Sequence, residues 1–268
     1  FETYHERVDA QKVRERSPSF ADHFSQARLF FQSMSKPEKE HIISAYSFEL
    51  GKVEREYIRA REVNEVLANI DLELAGRVAE NLGLPKPAKG TVDTPSQSLK
   101  ESPALSQMNL LSGDIKSRKV AVLVADGVDE ASVDALKKAL QAEGAHAKVL
   151  GPTSAPVKTA AGGKLAVDAA ADGLPSIAFD AVWVAGGEAS AKALSGNGVT
   201  LHYLLEAYKH LKAIGVNTSA KAIIDVLKLE ADAGLIIGDG DKAIKAFIAA
   251  IAQHRVWDRE DKAKAIPA

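Results

Sequence analysis

From Arg118 onward the sequence alternates between short apolar runs and amphipathic stretches, and this alternation limits the fold more than any other feature. The apolar runs lie at residues 120–125, 147–150, 181–185, 213–216 and 235–237. The stretches with helical periodicity are one that ends near Glu143 and those at 200–211, 218–227 and 241–253. Strands that are apolar throughout are buried on both faces, which requires helices on both sides of a parallel sheet. The sequence therefore predicts an α/β fold, a doubly wound parallel sheet of flavodoxin type.

An N-terminal arm and a helical segment precede this pattern. Ser35 and Glu38 have the spacing of a capping box, which predicts the start of a helix. A second helix is predicted from about Asn64, and Gly83 stands where a left-handed C-terminal cap is expected. The apolar residues of the two helices are Ile42, Tyr46, Leu50, Val53 and Tyr57, and Leu67, Ile70, Leu74, Val78 and Leu82.

The first 34 or so residues have weak periodicity but contain Phe20, Phe24, Phe30 and Phe31. So many aromatic side chains are unusual in a solvated tail, and we expect this segment to pack against a larger neighbour. The chain opens at Phe1 with neither a methionine nor a leader sequence, which predicts that it continues a longer polypeptide.

A proline-rich stretch separates the helical segment from the alternating pattern. It contains Pro85, Pro87, Pro95 and Pro103 with serine, lysine and glycine between them. This composition is typical of a loosely packed connector. We therefore predict an arm and helical domain at residues 1–83, a linker at 84–117 and a flavodoxin-like domain at 118–268.

The composition excludes several classes of partner. Lys and Arg total 34 against 36 Asp and Glu, and no dense basic cluster occurs, so we expect no nucleic-acid partner. Every apolar run is far shorter than the ~18 residues of a membrane span, so we expect no membrane partner. Cysteine is absent, which removes disulfides and thiolate chemistry and favours a cytoplasmic location.

Several segments resemble one family of enzymes. They are KVRERSPSFADHFSQARLFF, the helical stretch HIISAYSFELGKVEREYIRAREVNEVLANIDLELAGRVAENLGL, EAYKHLKAIG and the terminal HRVWDREDKAKAIPA. Together they look like the C-terminal third of a large-subunit, hydroperoxidase II-type haem catalase. The resemblance covers nearly the whole chain, linker included. It implies that the helical segment and the flavodoxin-like domain are the last two parts of such a subunit.

The resemblance also implies the activity of the whole enzyme, the disproportionation of hydrogen peroxide at a haem. The family holds that haem in its N-terminal portion, with a proximal tyrosinate and a distal histidine and asparagine, and forms homotetramers. This chain has no match to the proximal pattern R-x-F-x-Y-x-D-T, so we expect it to have no catalytic, cofactor-binding or metal-binding residues and to be inactive alone. The expected partners are the haem-bearing portion and other copies of the subunit. The expected role is to stabilise the subunit, shape haem access and support the oligomer.

The α/β part is also similar to the type 1 glutamine amidotransferase-like superfamily, which includes proteases and chaperones. Its members place a nucleophilic cysteine at a sharp strand-to-helix turn, where helix amides favour the thiolate. The segment AIGVNTSA matches that region and puts Gly215 at the nucleophile position. Thr218 and Ser219 follow and are better interpreted as residues of the first helical turn. With the nucleophile missing, we do not expect amidotransferase or protease chemistry.

Turns rich in glycine close several predicted strands. Residues 126–127 (Asp-Gly) and 186–187 (Gly-Gly) stand at carboxyl ends of parallel strands, where ligands usually bind. The simpler interpretation is that glycine supplies the tight turns. The sequence GDGD at 238–241 lacks the spaced carboxylates of a calcium loop and is interpreted as a turn with Asp241 as helix N-cap.

Glu49 lies between Phe48 and Leu50 at the edge of the apolar stripe of the first helix. A carboxylate in this position is usually exposed or paired with a basic side chain. Our hypothesis is that Glu49 lines a solvent channel towards the haem of the longer enzyme.

An alternative of a different class is a chaperone-like module that binds unfolded client proteins. The superfamily resemblance includes chaperones, and an arm exposing Phe20, Phe24, Phe30 and Phe31 would present an apolar patch. Suppression of the aggregation of a heated client would favour this alternative, which acts through the arm or through the flavodoxin-like domain.

Overall fold

A computed structural model describes residues 2–92 and 100–266. The chain divides into two compact units, Phe1–Leu110 and Leu111–Ala268, each with its own buried core. Pro95 and the rest of 93–99, part of the predicted linker, lie outside the described residues. The sequence-based bounds of arm, linker and flavodoxin-like domain stay a prediction.

The first unit consists of helices. They are α1 (Ser25–Ser33), α2 (Lys36–Gly51), α3 (Glu56–Arg61), α4 (Ala68–Ile70) and α5 (Leu72–Asn81), with a π-helical segment at Glu62–Leu67. Their apolar faces meet in a core formed by Phe31, Ile43, Val63, Leu67, Ala68, Ile70, Leu74, Ala75, Val78 and Ala79. Burial of these side chains holds the short helices together, because helices of this length are marginal alone.

The predicted capping pair is present at the start of α2. The backbone N–H of Ser35 donates to Oε2 of Glu38 over 2.8 Å. The same carboxylate accepts from the Ser106 hydroxyl at 2.8 Å and from the backbone N–H of Gln107 at 3.0 Å. Burial opposes ionisation of Glu38, but the hydrogen bonds from Ser35 and Ser106 prevail and lower its pKa. Glu38 thereby ties part of the proline-rich stretch to α2.

The apolar stripe predicted for the first helix was wrong at its far end. Helix α2 ends at Gly51, so Val53 lies outside it. Tyr57 belongs to α3 and is 63% exposed. The periodicity continued by chance across a break that neither proline nor a capping residue marks.

The second predicted helix is interrupted at Asp71. This residue is extended, with φ of −158° and ψ of 133°, and its carboxylate accepts the backbone N–H groups of Glu73 and Leu74 as the N-cap of α5. The prediction for Gly83 is confirmed, because its φ is 70° and the next N–H donates to the Ala79 carbonyl over 2.8 Å.

The four aromatic residues of the arm have different surroundings. Phe31 is 3% exposed and lies in the core, and Phe24 packs against that core. Phe20 and Phe30 are 64% and 46% exposed. The expectation of one exposed patch of four aromatic residues was therefore wrong, because two of them complete the unit's own core.

The second unit is built on a sheet of six parallel strands. The strands of this sheet are β1 (Lys119–Leu123), β2 (His146–Gly151), β5 (Ala169–Ala170), β6 (Ala181–Val184), β7 (Ala213–Val216) and β8 (Leu235–Ile237). Strands β3 (Val157–Lys158) and β4 (Lys164–Leu165) form a separate antiparallel pair. The sheet order is β5-β2-β1-β6-β7-β8. Without the edge strand β5 this is the flavodoxin order, so the predicted fold class is confirmed.

Helices cover both faces of this sheet. They are α6 (Glu130–Ala142), α7 (Glu188–Ser195), α8 (Gly198–Lys209), α9 (Ala222–Leu227), α10 (Gly240–Ala252) and α11 (Glu260–Ala263). Residues of α7, α8 and α9 pack on one face of β1, β6 and β7, and residues of α6 and α10 pack on the other. This doubly wound arrangement buries the strands on both sides, as their continuous apolar sequences require.

The C-terminal segment is fastened to this unit by a buried arginine. Arg259 is fully buried, and its Nε and Nη2 donate to the two carboxylate oxygens of Asp232 over 2.7 and 2.8 Å. Its Nη1 donates to the Lys212 carbonyl over 2.8 Å, and its guanidinium lies 4.1 Å from the ring centre of Tyr208. Each nitrogen of the guanidinium thus donates a hydrogen bond and one face stacks on an aromatic ring, which makes burial of its charge tolerable.

Candidate functional site

Gly215, which the sequence resemblance aligns with a nucleophile position, lies within strand β7 rather than at a turn. It pairs with Trp183 of β6 and Ile236 of β8. A Cβ atom built on Gly215 would lie 1.9 Å from Cε3 of Trp183 and 2.4 Å from Cζ3. The indole ring thus occupies the space that a side chain at position 215 would need, and the position offers no nucleophile.

A hydrogen-bonded chain fixes the indole in this place. Nε1 of Trp183 donates to Oδ1 of Asn217 over 2.9 Å, and Nδ2 of Asn217 donates to Oδ1 of Asp239 over 2.8 Å. The backbone N–H of Thr218 donates to the same oxygen over 3.1 Å. Hydrogen bonds from Thr218 and Asn217 lower the pKa of Asp239. The carboxylate is therefore engaged in holding the loop after β7.

The assignment of Asp241 as a helix N-cap was wrong. Helix α10 begins at Gly240 and its N-cap residue is Asp239, while Asp241 lies in the first turn. The side chain of Asp239 reaches the neighbouring loop instead of its own helix. Gly240 has a φ of 66°, a left-handed conformation that turns the chain into α10.

The backbones of the glycine turns after β1 and β6 pack closely against each other. Gly127 and Gly187 have φ values of 86° and 106°. A Cβ on Gly187 would lie 2.2 Å from the Gly127 carbonyl oxygen, and the N–H of Gly187 donates to the Ser219 hydroxyl over 3.1 Å. The positive φ angles and the lack of space for a Cβ atom both require glycine here. This supports the interpretation of these residues as tight turns.

An open crevice of about 530 Å³ lies beside these turns, lined by Asp126, Gly127, Lys158, Thr159 and Glu188 among others. Oδ1 of Asp126 accepts the backbone N–H of Lys158 over 2.8 Å, so this carboxylate is used in holding the loop. Within the described residues, no group of three or more histidine, aspartate and glutamate side chains is placed to hold a metal ion.

Glu49 lies on the surface of α2, and both of its carboxylate oxygens are 3.0 Å from Nζ of Lys52. Its side chain is 68% exposed. This is the exposed, paired arrangement that is common for a carboxylate at the edge of an apolar stripe. Whether it also faces a channel depends on residues beyond this chain, so that role stays a prediction.

Four of the five tyrosines have different surroundings. Tyr203 is 3% exposed, and burial raises the pKa of its hydroxyl, which has no hydrogen-bond partner among the described residues. Tyr208 lies beneath the guanidinium of Arg259. Tyr4 and Tyr57 are exposed on the surface.

Comparison with known protein families locates the chain. A sequence model described as the C-terminal domain found in long catalases matches residues 116–261, more than half of the chain. The chain belongs to the C-terminal region of the long catalases. A second model, described as catalase-related immune-responsive, matches residues 17–82 of this catalase region. The resemblance inferred from the sequence is confirmed.

Individual catalases match the catalase region over nearly all its length. Catalase HPII of Pseudomonas putida is 60% identical over 269 residues, which cover 100% of this chain and 37% of that protein. Catalase-B of Dictyostelium discoideum is 45% identical, covering 100% of this chain and 39% of that protein. Catalase-2 of Bacillus subtilis (strain 168) is 37% identical, covering 96% of this chain and 37% of that protein. The catalase region thus spans less than two fifths of each of these proteins.

Two features of the site could not be found from the sequence. The contact between Trp183 and Gly215 joins adjacent strands far apart in the chain, and only the register of the sheet brings them together. The pair of Arg259 and Asp232 is likewise distant in sequence. A buried tryptophan opposite a strand glycine was the one available signal, since such a glycine often marks close approach of another group.

None of the described helices is long and apolar enough to cross a membrane.

Proposed function

We propose that this chain is the non-catalytic C-terminal part of a large catalase, whose complete subunit disproportionates hydrogen peroxide at a haem. The observation that carries the proposal is that the entire chain matches only 37% of Catalase HPII, while position 215 is filled by the Trp183 indole. The two units supply packed surfaces and no reacting group. Their role is to stabilise the subunit, shape access to the haem and support a homotetramer in the cytoplasm.

The proposal is tested with the isolated chain. Purified protein is incubated with hydrogen peroxide in an oxygen electrode, with and without added haemin. We expect oxygen evolution equal to that of the same haemin mixed with serum albumin. Saturable oxygen evolution that elutes with the 28.5 kDa chain would refute the proposal, because the chain would then hold its own catalytic centre.

The proposed channel role of Glu49 is tested in the complete enzyme. Glu49→Gln removes the charge and keeps the shape of the side chain. We expect this substitution to change the peroxide concentration that gives the half-maximal rate. Lys52→Gln is the matched control, because it breaks the same ion pair and keeps the Glu49 carboxylate. Unchanged kinetics in Glu49→Gln would discard this role.

Binding of unfolded clients is a second candidate, favoured by the apolar groove of α1 and α2. This groove has a volume of about 490 Å³ and is lined by residues that include Phe30, Phe31, Ile42 and Tyr46. Suppression of the aggregation of heated citrate synthase by the chain, lost in Phe30→Ser and retained in Val226→Ser, an exposed position of the second unit, would support it. Equal activity of both variants would refute it.

A further inference from the structure

Basic side chains collect at the edge of the sheet where the strands begin. Arg118 precedes β1, Asp180 precedes β6 and Lys212 precedes β7, and these three strands are neighbours. Arg255 follows α10 and returns to this edge, because the backbone N–H of the next residue donates to the Leu211 carbonyl over 2.8 Å. The topology therefore brings three cationic side chains together at the amino-terminal edge, away from the glycine turns.

The single carboxylate at the centre of this group is already engaged. Oδ1 of Asp180 lies 3.2 Å from Nη1 of Arg118, and its Oδ2 accepts the backbone N–H of Lys119 over 2.8 Å. Asp180 thus pairs with Arg118, and within the described residues it makes no hydrogen bond to Lys212 or Arg255.

Arg255 and Lys212 have no carboxylate partner among the residues that the structure describes. Nη1 of Arg255 donates to the His254 carbonyl over 2.8 Å, and its Nε and Nη2 have no acceptor within the described part of the chain. Lys212 is 3% exposed and donates from Nζ to the Ser176 carbonyl over 2.7 Å. The nearby Glu206 accepts the Ser176 hydroxyl over 3.1 Å instead.

Burial and neighbouring cations lower the pKa values of Lys212, His254 and Arg255, and the charge of Asp180 opposes each shift. Burial and the charge of Arg255 lower the pKa of Lys212 to about 8. Burial, Arg255 and Arg118 lower the pKa of His254. Burial also lowers the pKa of Arg255, with Asp180 opposing and Arg118 adding to the shift. An anion placed here would relieve the repulsion, and partial dehydration would strengthen its attraction.

We propose that Arg118, His254 and Arg255 form a binding site for a doubly charged, phosphate-class oxyanion. The free Nε and Nη2 of Arg255 form the planar donor pair that matches two oxygens of such an ion. Arg118, whose side chain is 32% exposed, is accessible for a further contact. Lys212 is too deeply buried to touch the ion and contributes its field. Arg255, unpaired within the described residues, supplies the cation in contact with the ion, and the fields of Lys212 and Arg118 add to it, which favours a dianion over a single carboxylate.

The test is a calorimetric titration of the 268-residue chain with inorganic phosphate, with sodium chloride holding the ionic strength constant. We expect one saturable site per chain. Arg255→Gln is expected to weaken binding by at least about tenfold, because it removes a charge-assisted bidentate contact. Arg255→Lys should weaken it less, since the charge is kept and only the planar pair is lost.

Controls separate this site from general charge effects. Lys221→Gln alters an exposed lysine beyond the carboxyl end of β7 and should leave phosphate binding unchanged. Circular dichroism checks folding, and Arg118→Gln serves as the second variant if Arg255→Gln does not fold. Absence of saturable binding, or equal binding by Arg255→Gln, would overturn the proposal. Acetate binding as tightly as phosphate would also overturn it, because the site would then accept a single carboxylate.

Discussion

At the scale of single residues, Trp183 and Gly215 show how the position that the sequence resemblance assigns to a nucleophile is filled in this domain. The glycine leaves room for the indole, and the indole is held by Asn217. The absence of a nucleophile could be predicted from the residue at position 215. The occupant of the vacated space could not, because it comes from the adjacent strand and depends on the register of the sheet.

Gly215→Ala tests this close contact. The added methyl would meet the Trp183 ring at 1.9 Å, so we expect the free energy of unfolding to fall by about 3 kcal/mol, the upper part of the range for overpacked cores. Urea unfolding measures the loss. Gly198→Ala is the control, because no heavy atom lies within 4 Å of that added methyl. Equal stability of the two variants would contradict the account.

Lys212 gives a pH-dependent prediction. Burial lowers its pKa from 10.5 to about 8, so the folded state disfavours the charged form. Below about pH 8 the group is charged in both states and the cost is fully present, and between pH 8 and 10.5 only the unfolded state stays protonated. We therefore expect this group to add to stability as the pH rises through that window, by up to about 1 kcal/mol per pH unit.

The measurement is urea unfolding at several pH values for the parent and Lys212→Met. The variant loses the bond to the Ser176 carbonyl at every pH, so the informative quantity is the slope and not the offset. The parent should gain stability relative to the variant as the pH rises. Lys221→Met, at an exposed position, should keep the parent slope. Parallel curves for the parent and Lys212→Met would show that the buried amine keeps its ordinary pKa.

At the scale of secondary-structure elements, prediction from the sequence succeeded where apolar runs were long and failed where elements were short. Strands β1, β2, β6, β7 and β8 were found because each contains a mostly apolar run that contributes buried side chains to the core. Strands β3, β4 and β5 have two residues each, too few to show a period. The break at Asp71 was missed because the apolar spacing continues across it, and only the carboxylate's capping bonds end one helix and begin the next.

A buried arginine in the C-terminal segment forms an ion pair with Asp232, and this gives a prediction for the element. Arg259→Met leaves the Asp232 carboxylate buried without its partner, so we expect a loss of about 3–5 kcal/mol in the free energy of unfolding. Thermal and urea unfolding measure it. Lys264→Met, which breaks an exposed pair with Asp261, should change stability by less than about 0.5 kcal/mol.

A double variant separates the pair from the packing around it. Arg259→Met with Asp232→Leu removes both charges and should recover part of the loss, because no unpaired charge remains buried. A double variant as unstable as Arg259→Met alone would show that the lost packing over Tyr208, and not the unpaired carboxylate, causes the effect.

At the scale of the whole molecule, the chain is two separately packed units that together match the C-terminal region of proteins more than twice as long. Its family could be inferred from the sequence because the resemblance covered both units. How the sheet edge where ligands usually bind is used was harder to predict, since it depends on the packing of Trp183, Asp239 and the glycine turns. The account is that this region completes a catalase subunit without supplying its chemistry.

The most direct test of this account is a graft. In Catalase HPII of Pseudomonas putida, the region that matches this chain, 37% of that protein, is deleted in one variant and replaced by this chain in another. Oxygen evolution from hydrogen peroxide and its half-life at elevated temperature are measured per subunit. We expect the deletion to lower the yield or the half-life and the graft to restore both to near the parent values. A graft no better than the deletion, with both proteins soluble, would contradict the account.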